Sequence, residues 1–413
     1  MPTLIVFCHL RWDFVFQRPQ HLMTRLAEHY RILFVEEPVY DAGQAHLKKT
    51  AVAPNITVCQ PHTGIQAPGF HDDQIPTLQT LLADLVPEGE RPVVWFYTPM
   101  ALPLLQGFDP ALVIYDCMDE LAAFKNAPKQ LLQRENALLN IADLCFTGGP
   151  SLYQSKRERH ANAHCFSSSV DARHFQQALD RGYSHPEQEH LARPRLGFYG
   201  VIDERFDTEL VRQVATARPD WQIVLVGPVV KIDPANLPRA HNIHYMGQRT
   251  YEQLPQFLAG WDVCLLPFAL NESTRFISPT KVLEYMAAEL PSVSTPITDV
   301  KVPYGDVVAI ADTPDKFIAA CERMLAMTPA QQAALTERMR AIVANTSWHK
   351  TAAKMHELIQ TTAPSNKAQR FIARAEDADF DDVVNAENVN PLPIAALAAR
   401  MTPPKDGMAK AAG

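Results

Sequence analysis

Two doubly wound α/β domains facing a shared cleft are the fold class this sequence predicts, and three observations predict it. Short apolar, β-branched runs alternate with amphipathic helical patterns almost throughout. The runs are continuously apolar, as strands covered on both faces of a parallel sheet must be. One polar stretch, residues 172–194, interrupts the series, and the same pattern then begins again. At 413 residues the chain is also too long for one ordinary core.

Taken in order, the first half places strands at 4–8, 32–35, 93–97, 113–115, 144–147 and 165–168, with helices such as 18–29 and 130–141 between them. The second half places strands at 196–199, 223–226, 243–246, 263–267, 292–294 and 307–310. Trp348, Ala352, Met355 and Ile359 then follow helical spacing, giving a closing helix with no strand after it. The expected division is a first domain over 1–175, completed by the returning helix 347–362, a linker over 176–194 and a second domain over 195–346. From 363 to 413 the chain is rich in Ala, Asp and Asn and reads as a mostly disordered tail, with a short helix near 394–400. Truncation after Thr362 is therefore expected to leave the fold intact.

Composition narrows the function. A formal charge of -8 argues against a nucleic-acid partner, which favours a basic surface. The seven cysteines are scattered without C-x-x-C spacing and read as buried free thiols in a reducing compartment. Residues 2–8 have no basic segment before them and form a strand, not a signal peptide. No apolar run approaches the ~18 residues of a membrane span. The expected location is cytoplasmic, with a peripheral place at the inner face of a membrane left open.

In open α/β sheets, ligands bind beyond the C-terminal ends of the strands. After the first strand comes His9-Leu-Arg11-Trp12-Asp13, running to Arg18 and His21. His9, Arg11 and Arg18 are candidate substrate contacts; alternatively the aromatics pack the loop and its charges are solvated. No Asp, Glu or His stands at ligand spacing from His9 and His21, so no metal is expected. Asp116, Asp119 and Glu120 end another strand, where carboxylates orient hydroxyls or stabilise positive charge, or else cap a turn. Gly200, Gly227 and Gly247 each follow a strand directly and form one rim where backbone can approach phosphate. Arg205 adds a planar fork suited to phosphate oxygens. Gly197-x-x-Gly200 does not fit the dinucleotide fingerprint, which disfavours a nicotinamide cofactor. The run Lys156-Arg-Glu-Arg-His160 is a solvated face or a contact for anionic lipid.

The most informative stretch is Ser278-Pro-Thr280-Lys281-Val-Leu-Glu284-Tyr. Ser278 suits an N-cap and Pro279 the first helical position. Thr280 and Lys281 then fall in the first turn, where free N–H groups attract anions. Glu284 lies one turn on, on nearly the same face. A diphosphate beside Lys281 and a ribose beside Glu284 fit this spacing, as does a plain capped helix with a solvated ion pair.

With these residues in view, the second half resembles the donor domain of the retaining GT-B glycosyltransferases of glycosyltransferase family 4. Residues 278–294 resemble their signature helix, 242–255 their nucleobase-side loop, and 347–353 their closing helix. Residues 142–152 and 169–175 resemble the exit from their acceptor domain, and 8–21 a bacterial subgroup. The likeness spans about residues 1–362. It implies that Glu284 holds the donor ribose and that Lys281 and Arg205 hold the diphosphate. It departs where many members carry a glutamate eight residues before the ribose one, since Phe276 stands here and Glu272 is the loop's carboxylate. It departs again where many members carry a histidine near the acceptor-domain carboxylates, since Met118 stands beside Asp119.

The implied activity is retaining, metal-independent transfer of a sugar from a nucleotide-diphosphate sugar to a glycan or lipid-linked acceptor in surface polysaccharide or glycoconjugate synthesis, without a cofactor. Asp119, Asp116, Arg205 and Lys281 are the candidate catalytic residues. Glu284, Ser278, Thr280, Gly200, Gly227, Gly247, Arg11, Arg18 and His9 are the candidate substrate contacts. The rival readings are a non-hydrolysing sugar-nucleotide epimerase and a catalytically silent protein that binds a sugar nucleotide or scaffolds a complex.

Overall fold

The run Thr3–Cys8 is buried at every position, as a strand with helices on both sides requires. The computed structural model describes residues 1–41, 43–125 and 127–387. The first eight strands are β1 (Thr3–Cys8), β2 (Arg31–Glu36), β3 (His46–Ala53), β4 (Ile56–His62), β5 (Val93–Phe96), β6 (Leu112–Cys117), β7 (Leu144–Thr147) and β8 (Ala163–Cys165). They form one sheet in the order β3-β4-β2-β1-β5-β6-β7-β8. All pair in parallel except β3 and β4, which are antiparallel. The next six are β9 (Arg195–Tyr199), β10 (Gln222–Val226), β11 (Ile243–Gly247), β12 (Val263–Leu266), β13 (Ser292–Ser294) and β14 (Val308–Ile310). They form an all-parallel sheet ordered β11-β10-β9-β12-β13-β14. Strand order reverses at β1 in the first sheet and at β9 in the second, which opens a crevice beyond the C-terminal end of each.

Each sheet is coated on both faces by its own apolar layers. Helix Trp348–Thr361 returns to the first domain, where Trp348, Ala352, Met355 and Ile359 pack with Leu22 and Leu26. Ser347 caps it, its side chain accepting from the His349 N–H. Among the described residues no helix is long and apolar enough to cross a membrane.

Four features depart from the sequence reading. The hairpin of β3 and β4 was not expected, because β3 is an exposed edge strand carrying Lys48 and Lys49 rather than an apolar run. Its turn signal was Asn55, which sits at φ 61. The strand expected at 165–168 ends at Cys165. Residues 176–194 are not a free linker. Ala178 and Leu191 join the second domain's core, as Val170 and Phe175 already do. Gln188 fixes this layer, donating to the Phe257 carbonyl at 3.0 Å and accepting from Trp261 Nε1 at 3.0 Å.

The fourth departure is the tail. Helices Lys367–Asp377 and Phe380–Glu387 dock on the first domain. Ala368, Phe371, Ala375, Val383 and Val384 enter its core, and the overall Ala and Asp content hides their helical spacing. Gln106 donates to the Ala375 carbonyl at 2.9 Å, and Gln369 to that of Pro110 at 2.8 Å. The expected helix near 394–400 lies outside the described residues.

Two predictions follow from this packing. Truncation after Thr362 strips a buried layer, so melting temperature should fall sharply, and Phe371→Ala alone should cost about 3 kcal/mol. The second concerns His21, which is 2% exposed and stacked on Trp348 at 4.7 Å. Burial pushes its pKa from 6.5 to about 3. Between those values the unfolded chain binds the extra proton, so this contribution to stability is full above about 6.5 and is lost as pH falls toward 3. In thermal melts His21→Phe should flatten that pH dependence relative to the parent chain.

Candidate active site

Both crevices open onto one cleft with a cavity volume of about 170 Å³. Its walls carry nine of the candidate residues: Arg18 and Asp119 from the first domain, and Gly200, Arg205, Gly227, Ser278, Thr280, Lys281 and Glu284 from the second. A stack of Phe16 on Tyr251, with centroids 4.6 Å apart, joins the two walls.

Helix Lys281–Ala287 begins later than Ser278 and Pro279 imply, with Thr280 at the N-cap position. The reason is that Ser278 and Thr280 are tied to the chain leaving the first domain. Ser168 Oγ donates to the Ser278 carbonyl at 3.1 Å, and Thr280 Oγ1 donates to Ser168 Oγ at 3.3 Å. Lys281 emerges half-buried, with Nζ 5.7 Å from the centroid of the Phe198 ring. Burial pulls its pKa below the ordinary lysine value, and Glu284 acts in the opposite direction. Its ammonium has no hydrogen bond or ion pair among the described residues. Gly200 makes room for it: the backbone there has φ +135, and a Cβ would lie 2.2 Å from Lys281 Cε. One turn deeper, Glu284 is 7% exposed and accepts the Tyr199 hydroxyl on Oε2. Burial raises its pKa.

Arg205 lies beside Lys281 with one edge of its guanidinium bound to Asp203, and its Nη1 has no hydrogen bond among the described residues. Nε donates to Asp203 Oδ1 at 3.0 Å and Nη2 to Oδ2 at 2.7 Å. Asp119 faces this group from the first domain. Its carboxylate has no hydrogen-bond partner among the described residues, and burial raises its pKa although Arg205 and Lys281 act to lower it.

Asp116, Arg11, His9 and Gly247 do not line the cleft. Asp116 is fully buried and accepts one edge of Arg18 on its two oxygens, from Nε at 3.1 Å and Nη2 at 2.9 Å. Arg18 Nη1 reaches the Phe166 carbonyl at 2.7 Å. Asp116 thus positions the loop, and Arg18 presents a neutralised edge. Arg11 staples its loop to the end of β2, bonding Glu36 at 3.2 Å and the Pro38 carbonyl at 3.2 Å. His9 Nδ1 is enclosed without a partner. Gly247 is exposed, and a Cβ on it would meet nothing.

The basic run is a solvated face only at Arg157 and Glu158. Lys156 is 1% exposed and bonds Glu120 at 2.8 Å and Glu135 at 2.7 Å. Arg159 closes the network on Glu135 at 3.1 Å. Phe276 leaves the cleft altogether and packs into the first domain's core. Glu272 is exposed, 3.8 Å from Arg275. Among the described residues no group of three or more His, Cys, Asp or Glu side chains could hold a metal ion. The sequence reading missed Tyr199, Phe16, Tyr251 and Ser168. Tyr199 was signalled by its place directly before Gly200; the others depend on contacts between the domains.

With the site described, relatives can be compared. Residues 193–327 match the family model of glycosyl transferases group 1. A Bacillus subtilis (strain 168) protein provisionally named teichuronic acid biosynthesis glycosyltransferase TuaH is 27% identical over 277 residues, covering 60% of this chain and 68% of its own. Sucrose-phosphate synthase from Thermosynechococcus elongatus superposes with a TM-score of 0.68 at 16% identity, covering 87% of this chain and 98% of its own. An E. coli structure described as trehalose-6-phosphate bound with UDP-2-fluoro glucose superposes at 0.67 with 12% identity, covering 88% and 100%. The fold is GT-B, and the group 1 domain supplies the cleft wall that carries Lys281 and Glu284.

Calorimetry should show Lys281→Met weakening nucleoside diphosphate binding by roughly 10–100-fold, the loss of one charge-assisted contact. Glu284→Gln should weaken nucleoside diphosphate binding but leave inorganic pyrophosphate nearly unaffected. Parent-like affinity in Lys281→Met would move the phosphates elsewhere.

Proposed function

We propose that the protein is a retaining glycosyltransferase that moves a sugar from a nucleotide-diphosphate sugar to a glycan or lipid-linked acceptor in surface polysaccharide synthesis. The observation that carries this reading is the pairing across the cleft of an unpaired cation, Lys281, with an unpaired carboxylate, Asp119. Lys281 and Arg205 offset the charge that grows on the departing diphosphate, a transition-state effect strengthened by the dry surroundings. Helix Lys281–Ala287 is only seven residues long, so the side-chain cations matter more than its dipole. Glu284, held by Tyr199, offers an acceptor for ribose hydroxyls.

The chemistry is front-side substitution. The C1–O bond to the diphosphate breaks and the acceptor oxygen attacks the same face. The acceptor proton passes to the leaving diphosphate oxygen. Retention follows without a covalent sugar–enzyme intermediate, and charge neutralisation by Lys281 and Arg205 supports a metal-independent course. Asp119 orients the acceptor or the transferred sugar from the opposite wall. The name of the Bacillus subtilis relative supports a polysaccharide acceptor. The burial of Lys156 takes one cation of the basic run out of reach of a lipid surface.

Release of nucleoside diphosphate that depends on acceptor, with the anomeric configuration of the product followed by NMR, tests the reading. Retained configuration is expected, and inverted product or acceptor-independent behaviour overturns it. Asp119→Asn should lower turnover by roughly 10–100-fold while leaving nucleotide affinity within about two-fold. A destabilised variant with normal turnover would make Asp119 a turn cap instead.

A further inference from the structure

The first domain's strand ends carry a polar cluster that donor binding leaves unused. Glu37 directly follows β2. Its carboxylate has no hydrogen-bond or ion-pair partner among the described residues, because Arg11 binds the backbone carbonyl of the same residue instead. Gly69 runs so close, at φ +58, that a Cβ there would lie 2.7 Å from Glu37 Oε1. The carboxylate is thus wedged, half-buried, against backbone with no donor. His9 directly follows β1, the neighbouring strand, and its Nδ1 is also without a partner. Burial raises the Glu37 pKa to about 7, against the charges of Arg11 and then of Lys231, an exposed residue of the second domain that also acts on His9. The Lys231 Nζ lies 5.2 Å from the centroid of the Phe124 ring and has no hydrogen bond or ion pair among the described residues. Lys231 itself adopts a left-handed backbone, φ 61, which a side chain other than glycine holds only under constraint.

We infer that Glu37 and His9, with Lys231 opposite them, form the acceptor subsite and bind hydroxyls of an uncharged sugar residue. Polar groups this enclosed are satisfied in the working state, and hydroxyls supply both the donors that a carboxylate needs and acceptors for an ammonium. Mixed charge selects against an ionic ligand, since a cation meets Lys231 and an anion meets the Glu37 carboxylate. A phosphate or carboxylate would call for a planar arginine fork. The two arginines that the first domain sets at these strand ends are already engaged, Arg11 by Glu36 and Arg18 by Asp116, and Arg205 of the second domain belongs to the diphosphate side. The Burkholderia xenovorans structure in complex with glucose-6-phosphate shares the fold, at a TM-score of 0.65 and 11% identity. The chain described here lacks a free fork for such a phosphate at these strand ends.

The inference rests on the transferase reading, and one experiment separates the two. The full chain is saturated with a nucleoside diphosphate chosen by calorimetry. Glucose, galactose, mannose and N-acetylglucosamine are then titrated by saturation-transfer NMR, beside glucose 6-phosphate and glucuronate. An uncharged probe should bind best. Glu37→Gln, nearly isosteric, should weaken that probe by roughly 10–100-fold, with Lys231→Met also weakening it and nucleotide affinity in both variants staying within about two-fold of the parent. Preference for a charged probe, absence of binding by every uncharged probe, or unchanged affinity in Glu37→Gln overturns the subsite alone. Failure of every nucleoside diphosphate to bind the parent chain overturns the transferase reading and the subsite with it.

Discussion

The buried fork between Arg18 and Asp116 is the constraint on which the cleft depends. It joins the start of the helix after β1 to the end of β6, and through the Phe166 carbonyl it also holds the chain as it leaves the first domain. Those three segments form the floor of the first crevice. Asp119 lies three residues beyond Asp116, so its placement is inherited from this pair. A sealed ion pair adds little net stability over an apolar pair of the same shape, yet losing one partner costs about 3–5 kcal/mol, because the other is left charged and alone. The pair therefore specifies geometry more than it adds stability.

Charge is treated differently at the cleft and away from it. Away from the cleft, buried ions are compensated, by opposite ions as Lys156 is by Glu120 and Glu135, or by backbone groups as Arg195 is by the Glu189 and Leu191 carbonyls. Burial alone would raise the Glu135 pKa, but Lys156 and Arg159 outweigh it and hold the carboxyl below its usual range. At the cleft, Lys281 and Asp119 have no such partners among the described residues. Unpaired charge in a dry place is costly, and it collects where ligands can compensate it.

Much of this was legible in the sequence, for identifiable reasons. Continuous apolar runs such as Val113-Ile-Tyr115 admit few alternatives to a buried parallel strand, so the central strands could be read directly. Lys281 and Glu284 could be read because both lie on one short helix, where spacing alone fixes their relation. Arg11, Asp116 and Gly247 misled because residue type reveals a capacity for binding and not whether a neighbour has already used it. Glu37 gave no signal, since its meaning depends on Gly69 and on a lysine from the other domain. The tail misled because composition was averaged over a segment whose first part hides Ala368, Phe371 and Ala375 at helical spacing.

Phe276 sits on the second domain but is buried, at 6% exposure, in the apolar core of the first, together with Leu121 and Ala122. Asp299, also from the second domain, accepts the Ser151 N–H at 3.2 Å in the first. Separating the domains thus draws a phenyl ring into water. Burial of a side chain this size is worth about 1.5–3 kcal/mol, or roughly 10–100-fold in population. This one contact favours the shut form, so part of the entropic cost of assembling the two walls is met during folding. Any opening of the cleft has to withdraw the ring of a residue that does not line it.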